Sequence, residues 1–125
     1  MRRDERGSIT VLGAAVLVVL MIIAMGLADL ARVLVATGRA QTAADAAALA
    51  AAQSLAFPTE LEPEPAARAL AERNGAALAS CVCEPGTFDA QVEVRIPVGV
   101  LLLGPDDLVV AGSARAVVEL AQPPP

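Results

Sequence analysis

Asp29 and Arg32 are the first ionisable residues after an uncharged apolar run from Ile9 to Ala28, and three residues apart on a helix they share one face. Two chemistries fit this spacing: a local ion pair that neutralises both groups where the apolar run ends, or a charged contact offered to a neighbouring helix. Local pairing is the preferred expectation, and the helix contact stays open. The two cysteines raise a different question, because only Val82 separates Cys81 from Cys83. On an extended strand both thiols point to the same side, at a separation where a bridge is strained. Buried free thiols are therefore the first expectation, with a strained local bridge or an intermolecular disulfide as alternatives. A single C-x-C also supplies too few ligands for a structural zinc ion, which takes four.

Few other chemistries are open to this chain. Its 125 residues contain no His, Tyr or Trp, so the commonest general base, the commonest metal ligand and the usual base-stacking platforms are all missing. The formal charge of −5 offers no basic surface for phosphates. Ser, Asp and Glu are scattered, without a nucleophile–base arrangement. No catalytic residue, metal, cofactor, nucleic acid or small-molecule substrate is expected, and the role reads as mechanical or architectural.

The elements that position these residues begin with the apolar run. At about 20 residues and ~1.5 Å rise per residue, a helix over residues 9–28 spans the ~30 Å hydrocarbon layer. A secretory signal peptide is the nearest rival, but its apolar core runs only ~7–15 residues. Arg2, Arg3 and Arg6 precede the run, which places the N-terminus in the cytoplasm and everything after Asp29 outside, in a single-pass topology. No proline interrupts residues 29–55, and residues 40–52 are mostly alanine, the strongest helix former. One helix is expected from about Ser8 to Leu55, broken at Phe57-Pro58. Its small residues, Gly13, Gly26, Ala43, Ala44, Ala47 and Ala48, would let another helix approach closely in the manner of membrane helix pairs. The alternative is a merely stable Ala-rich helix.

The outer part divides into an acidic, proline-broken linker at residues 57–65, a small domain at 66–122 and a proline tail at 123–125, after the charged stub 1–7 and the helix 8–56. Pro65 opens a short helix with Ala66, Ala69 and Leu70 on its apolar side, i,i+4 charges at Glu64, Arg68 and Glu72, and a stop at Asn74-Gly75. Three strands follow: one near residues 78–83, one in which Phe88, Ala90, Val92, Val94 and Ile96 alternate with polar residues, and one over 108–120. Gly112 suggests a bulge in the third. The fold class is α+β, a long transmembrane helix followed by a short helix and a small three-stranded antiparallel sheet. Between the second and third strands, residues 97–105 are too apolar for an ordinary exposed loop. Packing on the sheet's core is the first expectation, with a partner subunit or the membrane surface as the alternative.

Several segments together resemble a known family. The stub ending in Gly7 is followed by Ser8-Ile9-Thr10-Val11, the apolar run, Asp29-Leu30-Ala31-Arg32-Val33 and Gln41-Thr42-Ala43-Ala44-Asp45-Ala46-Ala47-Ala48-Leu49-Ala50. In these the first 55 or so residues resemble the N-terminal region of TadE/TadG-like proteins of the tight-adherence (Flp) pilus system, particularly short actinobacterial members. The resemblance implies a pilin-like fold, no enzymatic activity, and a minor pilin or membrane-anchored assembly component whose partners are other pilin-like or Tad assembly proteins. It also implies cleavage by a prepilin peptidase after Gly7, leaving Ser8 as the new N-terminus. Leu12 stands at the fifth mature position, where such precursors usually carry Glu, and the buried charge pair that would fix subunit register is missing. The competing reading is a single-pass accessory subunit of an unrelated cell-envelope complex.

Overall fold

The structure, a computed structural model, describes residues 5–57 and 61–119, with the backbone alone for Glu5 and Arg6. Stub residues 1–4, residues 58–60 of the expected linker and the tail 120–125 lie outside the described residues. The first element is a single α-helix, α1 (Glu5–Ala56), 52 residues long and so roughly 78 Å from end to end at ~1.5 Å per residue. It persists because no proline and no run of β-branched residues interrupts its outer half. It ends where Phe57 N–H still reaches Gln53 O at 2.8 Å while Pro58 pushes Phe57 out of the α region.

Helix α2 (Pro63–Arg73) starts two residues before the expected position. The first N–H groups of a helix have no intrahelical partner, so Pro63 and Pro65 both fit in the first turn. The helix stops at Asn74, followed by Gly75 at φ 74°, a conformation glycine adopts without steric cost. Its buried face is Ala66, Ala67 and Ala71 rather than Ala66, Ala69 and Leu70. Arg68 pairs with Glu64 at 2.7 Å on the exposed side.

Strands β1 (Ala77–Val82), β2 (Asp89–Pro97) and β3 (Val109–Val117) form one antiparallel sheet in the order β1-β2-β3. In β2 the residues Ala90, Val92, Val94 and Ile96 are buried and their neighbours face outward, as the alternation requires, whereas Phe88 precedes the strand and is exposed. The ladder's irregularity falls in β1, between Leu78 and Ser80. Gly112 pairs regularly with Val94, so the expected bulge is corrected.

The outer half of α1 lies across β2 and β3, and α2 packs beside it and against β1. The core is unusually thin. From α1 it contains only Ala40, Ala43, Ala44, Ala47, Ala48, Ala51 and Ala52, and Val94 is its largest fully buried side chain. Gly112 has the role of admitting the helix: a Cβ there would lie 2.3 Å from Ala40 O.

Candidate functional site

Two charged side chains, Asp29 and Arg32, meet the main chain of the β2–β3 loop where the apolar half of α1 joins the outer domain. Asp29 is 9% exposed. Its Oδ1 accepts the backbone N–H of Leu102 and its Oδ2 that of Leu103, each at 2.7 Å. Arg32 Nη1 lies 3.8 Å from Asp29 Oδ1 and donates to Val100 O at 2.7 Å. The expected local pair is thus present but long, and the principal partner of both side chains is the β2–β3 loop. A carboxylate that receives two converging backbone N–H groups has its charge met by short, charge-assisted bonds. Arg32 meanwhile satisfies a carbonyl of the same turn, so the pair acts as a two-point clamp.

The clamp explains what the loop does with its apolar residues. Leu101 is buried and Val98 half-buried, but Val100 is 73%, Leu102 52% and Leu103 57% exposed. Packing on the domain's own core therefore accounts for one end of the loop and not for its tip, which corrects the first expectation. With the main chain of Leu102 and Leu103 turned toward Asp29, their side chains are left outside.

Ala43, Ala44, Ala47 and Ala48 are completely buried, and what covers them is the chain's own sheet and α2. Within this chain the face is therefore already occupied by its own elements and not left open to a partner helix. Small residues do admit a close approach, but the backbone that approaches is that of β3 at Gly112. Gln41 fixes the contact along the strand, donating from Nε2 to Ser113 O at 3.0 Å. Gly13 and Gly26 are not used in this way, since nothing lies within 4 Å of the place a Cβ would take. Gly7 and Ser8 lie in the first turns of α1 and are exposed.

Cys81 and Cys83 are joined in a disulfide with a Cα–Cα distance of 5.5 Å, against the expectation of free thiols. Strand β1 ends at Val82. Cys83 is therefore not held at the ~6.6 Å that two residues of extended strand would impose, and the separation falls within the ordinary disulfide range. Across the open face, Arg115 donates through Nε to both carboxylate oxygens of Asp89, at 2.9 and 3.0 Å, and through Nη2 to Oδ2. These hydrogen bonds hold the Asp89 carboxyl below the usual carboxylate range and raise the Arg115 guanidinium, against a smaller opposing effect of partial desolvation. Among the described residues no three Cys, Asp or Glu side chains are gathered to hold a metal ion.

One helix among the described residues, α1, is long and apolar enough to cross a membrane. Residues 7–54 match the Tad family model, described as Putative Flp pilus-assembly TadE/G-like. Over these residues the N-terminal helix is similar to that family. The match ends within the last turn of α1 and so leaves α2 and the sheet outside it. No curated protein and no solved structure matches the chain. Within the TadE/G-like segment lie the bare apolar half, the clamp residues Asp29 and Arg32, and the alanine face. Their partners, Val100, Leu102, Leu103 and Gly112, lie beyond it. The match associates the chain with Tad pilus assembly.

No spacing in the sequence signals the contact between Asp29 and the loop, because its partners are 73 and 74 residues away. The one available hint was the pairing of two oddities: an acidic residue at the end of an apolar run, and a loop too apolar to be left in water.

Proposed function

We propose that this protein is a minor pilin-like or membrane-anchored assembly component of a Tad (Flp) type IV-like pilus or secretion system. The observation that carries the reading is the coincidence of the TadE/G-like match with α1, whose N-terminal part from Gly7 to Ala24 is exposed and apolar. In this reading residues 9–28 cross the inner membrane once, with the arginines before them in the cytoplasm and the outer domain on the far side. The bare helix then packs against other Tad helices along its lipid-buried length, where Gly13 and Gly26 leave it thinnest. The alanine face, already covered by the outer domain, takes no part.

Processing after Gly7, with Ser8 as the mature N-terminus, belongs to the same proposal. Leu12 leaves the new ammonium group of a neighbour without a carboxylate partner, which favours an assembly role over that of a main filament subunit. The test is affinity purification of the full chain from membranes of its own host. Recovery of the Tad secretion ATPase, platform protein or pilins supports the proposal, and a stable complex with none of them overturns it. Mass spectrometry of the purified chain reads the processing directly, since an N-terminus at Ser8 is expected and one at Met1 refutes cleavage.

A further inference from the structure

We infer that the tip of the β2–β3 loop is a lipid contact: Val100, Leu102 and Leu103 rest in the interfacial layer of the outer leaflet, seating the domain on the bilayer rather than above it. The inference rests on the membrane-anchored reading of α1. Its first support is position along the helix. Asp29 directly follows Ala28, the last residue of the uncharged run, and helical side chains lean toward the N-terminus. The backbone at Leu102 and Leu103, bonded to that carboxylate, is therefore held where the apolar run ends, on its membrane side.

Burial along α1 agrees. Every residue from Gly7 to Ala24 is exposed, whereas Met25, Gly26 and Ala28 are half-buried. The cover given by the outer domain thus reaches into the last turn of the apolar run, so the domain's lower edge and the top of the span overlap.

The second support is the chemistry of that edge. The loop tip presents three large apolar side chains to solvent, and below Asp29 on the same helix face come the half-buried Met25 and Gly26 and then the exposed Ile22. Only apolar residues therefore lie between the loop's seat on Asp29 and the bare part of the span on that face. Charge begins at the border itself, with Asp29, and continues with Arg32 and Arg39 along the helix and Asp106 and Asp107 after the tip in the loop. These three carboxylates more than offset the two arginines, so apolar insertion rather than attraction to anionic headgroups holds the loop in place. A zwitterionic bilayer is the sufficient partner.

The chain contains no native Trp or Tyr, so a single introduced tryptophan reports without background. The full chain carrying Leu103→Trp is reconstituted in phosphatidylcholine vesicles whose acyl chains are brominated either near the headgroup or near the terminal methyl, and Val18→Trp is treated in parallel. For Leu103→Trp the expected result is blue-shifted emission, stronger quenching by the shallow bromines than by the deep ones, and resistance to aqueous iodide. For Val18→Trp the deep bromines should quench most. Emission from Leu103→Trp that is red, open to iodide and indifferent to bromine overturns the lipid contact, with the anchor still standing if Val18→Trp is quenched at depth. Shielding from both bromine and iodide overturns it too, and identifies a protein surface as the cover. If Val18→Trp itself escapes bromine, the membrane anchor falls and the loop contact falls with it.

Discussion

Replacing Gly112 by alanine tests the packing on which the outer domain depends. The new Cβ would lie 2.3 Å from Ala40 O, 2.4 Å from Ala40 C and 2.8 Å from Gln41 N. All three atoms belong to the main chain of α1, so no change of rotamer relieves the overlap. Regaining an ordinary contact of 3.4 Å requires helix and strand to part locally by about 1 Å. That parting opens a layer made entirely of methyl groups on the helix side, where no long side chain can swing in to fill the gap. Overpacking of a core costs about 1–3 kcal/mol, and a main-chain obstacle places this case at the upper end. In a domain of this size each kcal/mol lowers Tm by about 4–8 °C, so Gly112→Ala is expected to lower it by roughly 12–24 °C.

The assay is pulse proteolysis of the full chain in nanodiscs after heating to graded temperatures, which reads the outer domain while the apolar half of α1 is shielded by the added lipid. Two further variants sharpen it. Ala40→Gly in the Gly112→Ala background should give no rescue, because the overlap is with the Ala40 carbonyl and not with its methyl. Gly38→Ala is the same substitution two residues away from that contact, in open space, and should stabilise the helix by about 0.8–1.0 kcal/mol. An unchanged Tm for Gly112→Ala, or restoration of it by Ala40→Gly, would refute the reasoning.

The alanine face gives a related expectation: Ala47→Leu should destabilise the outer domain by about 1–3 kcal/mol, with loss of Tad partners only in step with unfolding, while Gln53→Ala, on the exposed side, changes neither. Partner loss from a fully folded Ala47→Leu protein would show that this face is shared with another subunit. Asp29→Asn should release the loop, because one amide oxygen cannot replace two carboxylate oxygens as acceptors for Leu102 and Leu103. Amide hydrogen exchange should accelerate at those two residues with β2 and β3 unaffected, and unchanged protection at both would remove the clamp. The Asp89–Arg115 pair is pH-linked in a fixed direction. A carboxyl whose folded pKa is depressed below 3.8 contributes stability that is present above the unfolded value and lost as pH falls through the folded one. The Tm deficit of Asp89→Asn should therefore be constant at neutral pH and shrink in acid below 3.8; a deficit that grows there would contradict the assignment.

Much of this architecture is legible along the chain, and the parts that are not share a physical reason. Helix α1 is legible because an uncharged run and an unbroken alanine tract are local signals, and β2 because its alternation is regular. The alanine stripe is legible as a packing face, yet a row of methyl groups has the same spacing whether the covering backbone belongs to a partner or to the chain's own strand. Gly112 carries a similar ambiguity. A glycine inside a strand signals either a bulge or a close backbone approach, and only the position of Ala40 decides between them. The local disulfide stands in the sequence only as an alternative to free thiols, because strand geometry carried through Cys83 disfavours it, whereas β1 ends at Val82. The Asp29 clamp depends on contacts across more than half the chain, for which no periodicity exists.

These long-range contacts give the molecule its mechanical character. A domain joined to its anchor by a flexible linker can tilt and rotate freely, and transmits little between them. Here α1 is both the anchor and one wall of the core, continuous from Glu5 to Ala56. Rotation of the domain about the helix would require pulling Gly112 away from Ala40. Tilting it away would require freeing Leu102 and Leu103 from Asp29 and Val100 from Arg32. The two sets of contacts lie at different heights on the helix, near Ala40 and near Asp29, so together they resist both movements. A displacement of the apolar half of α1 is therefore carried along the helix into the sheet as a rigid-body motion, and under the proposed function this is how a push from a neighbouring helix in the membrane would reach the domain.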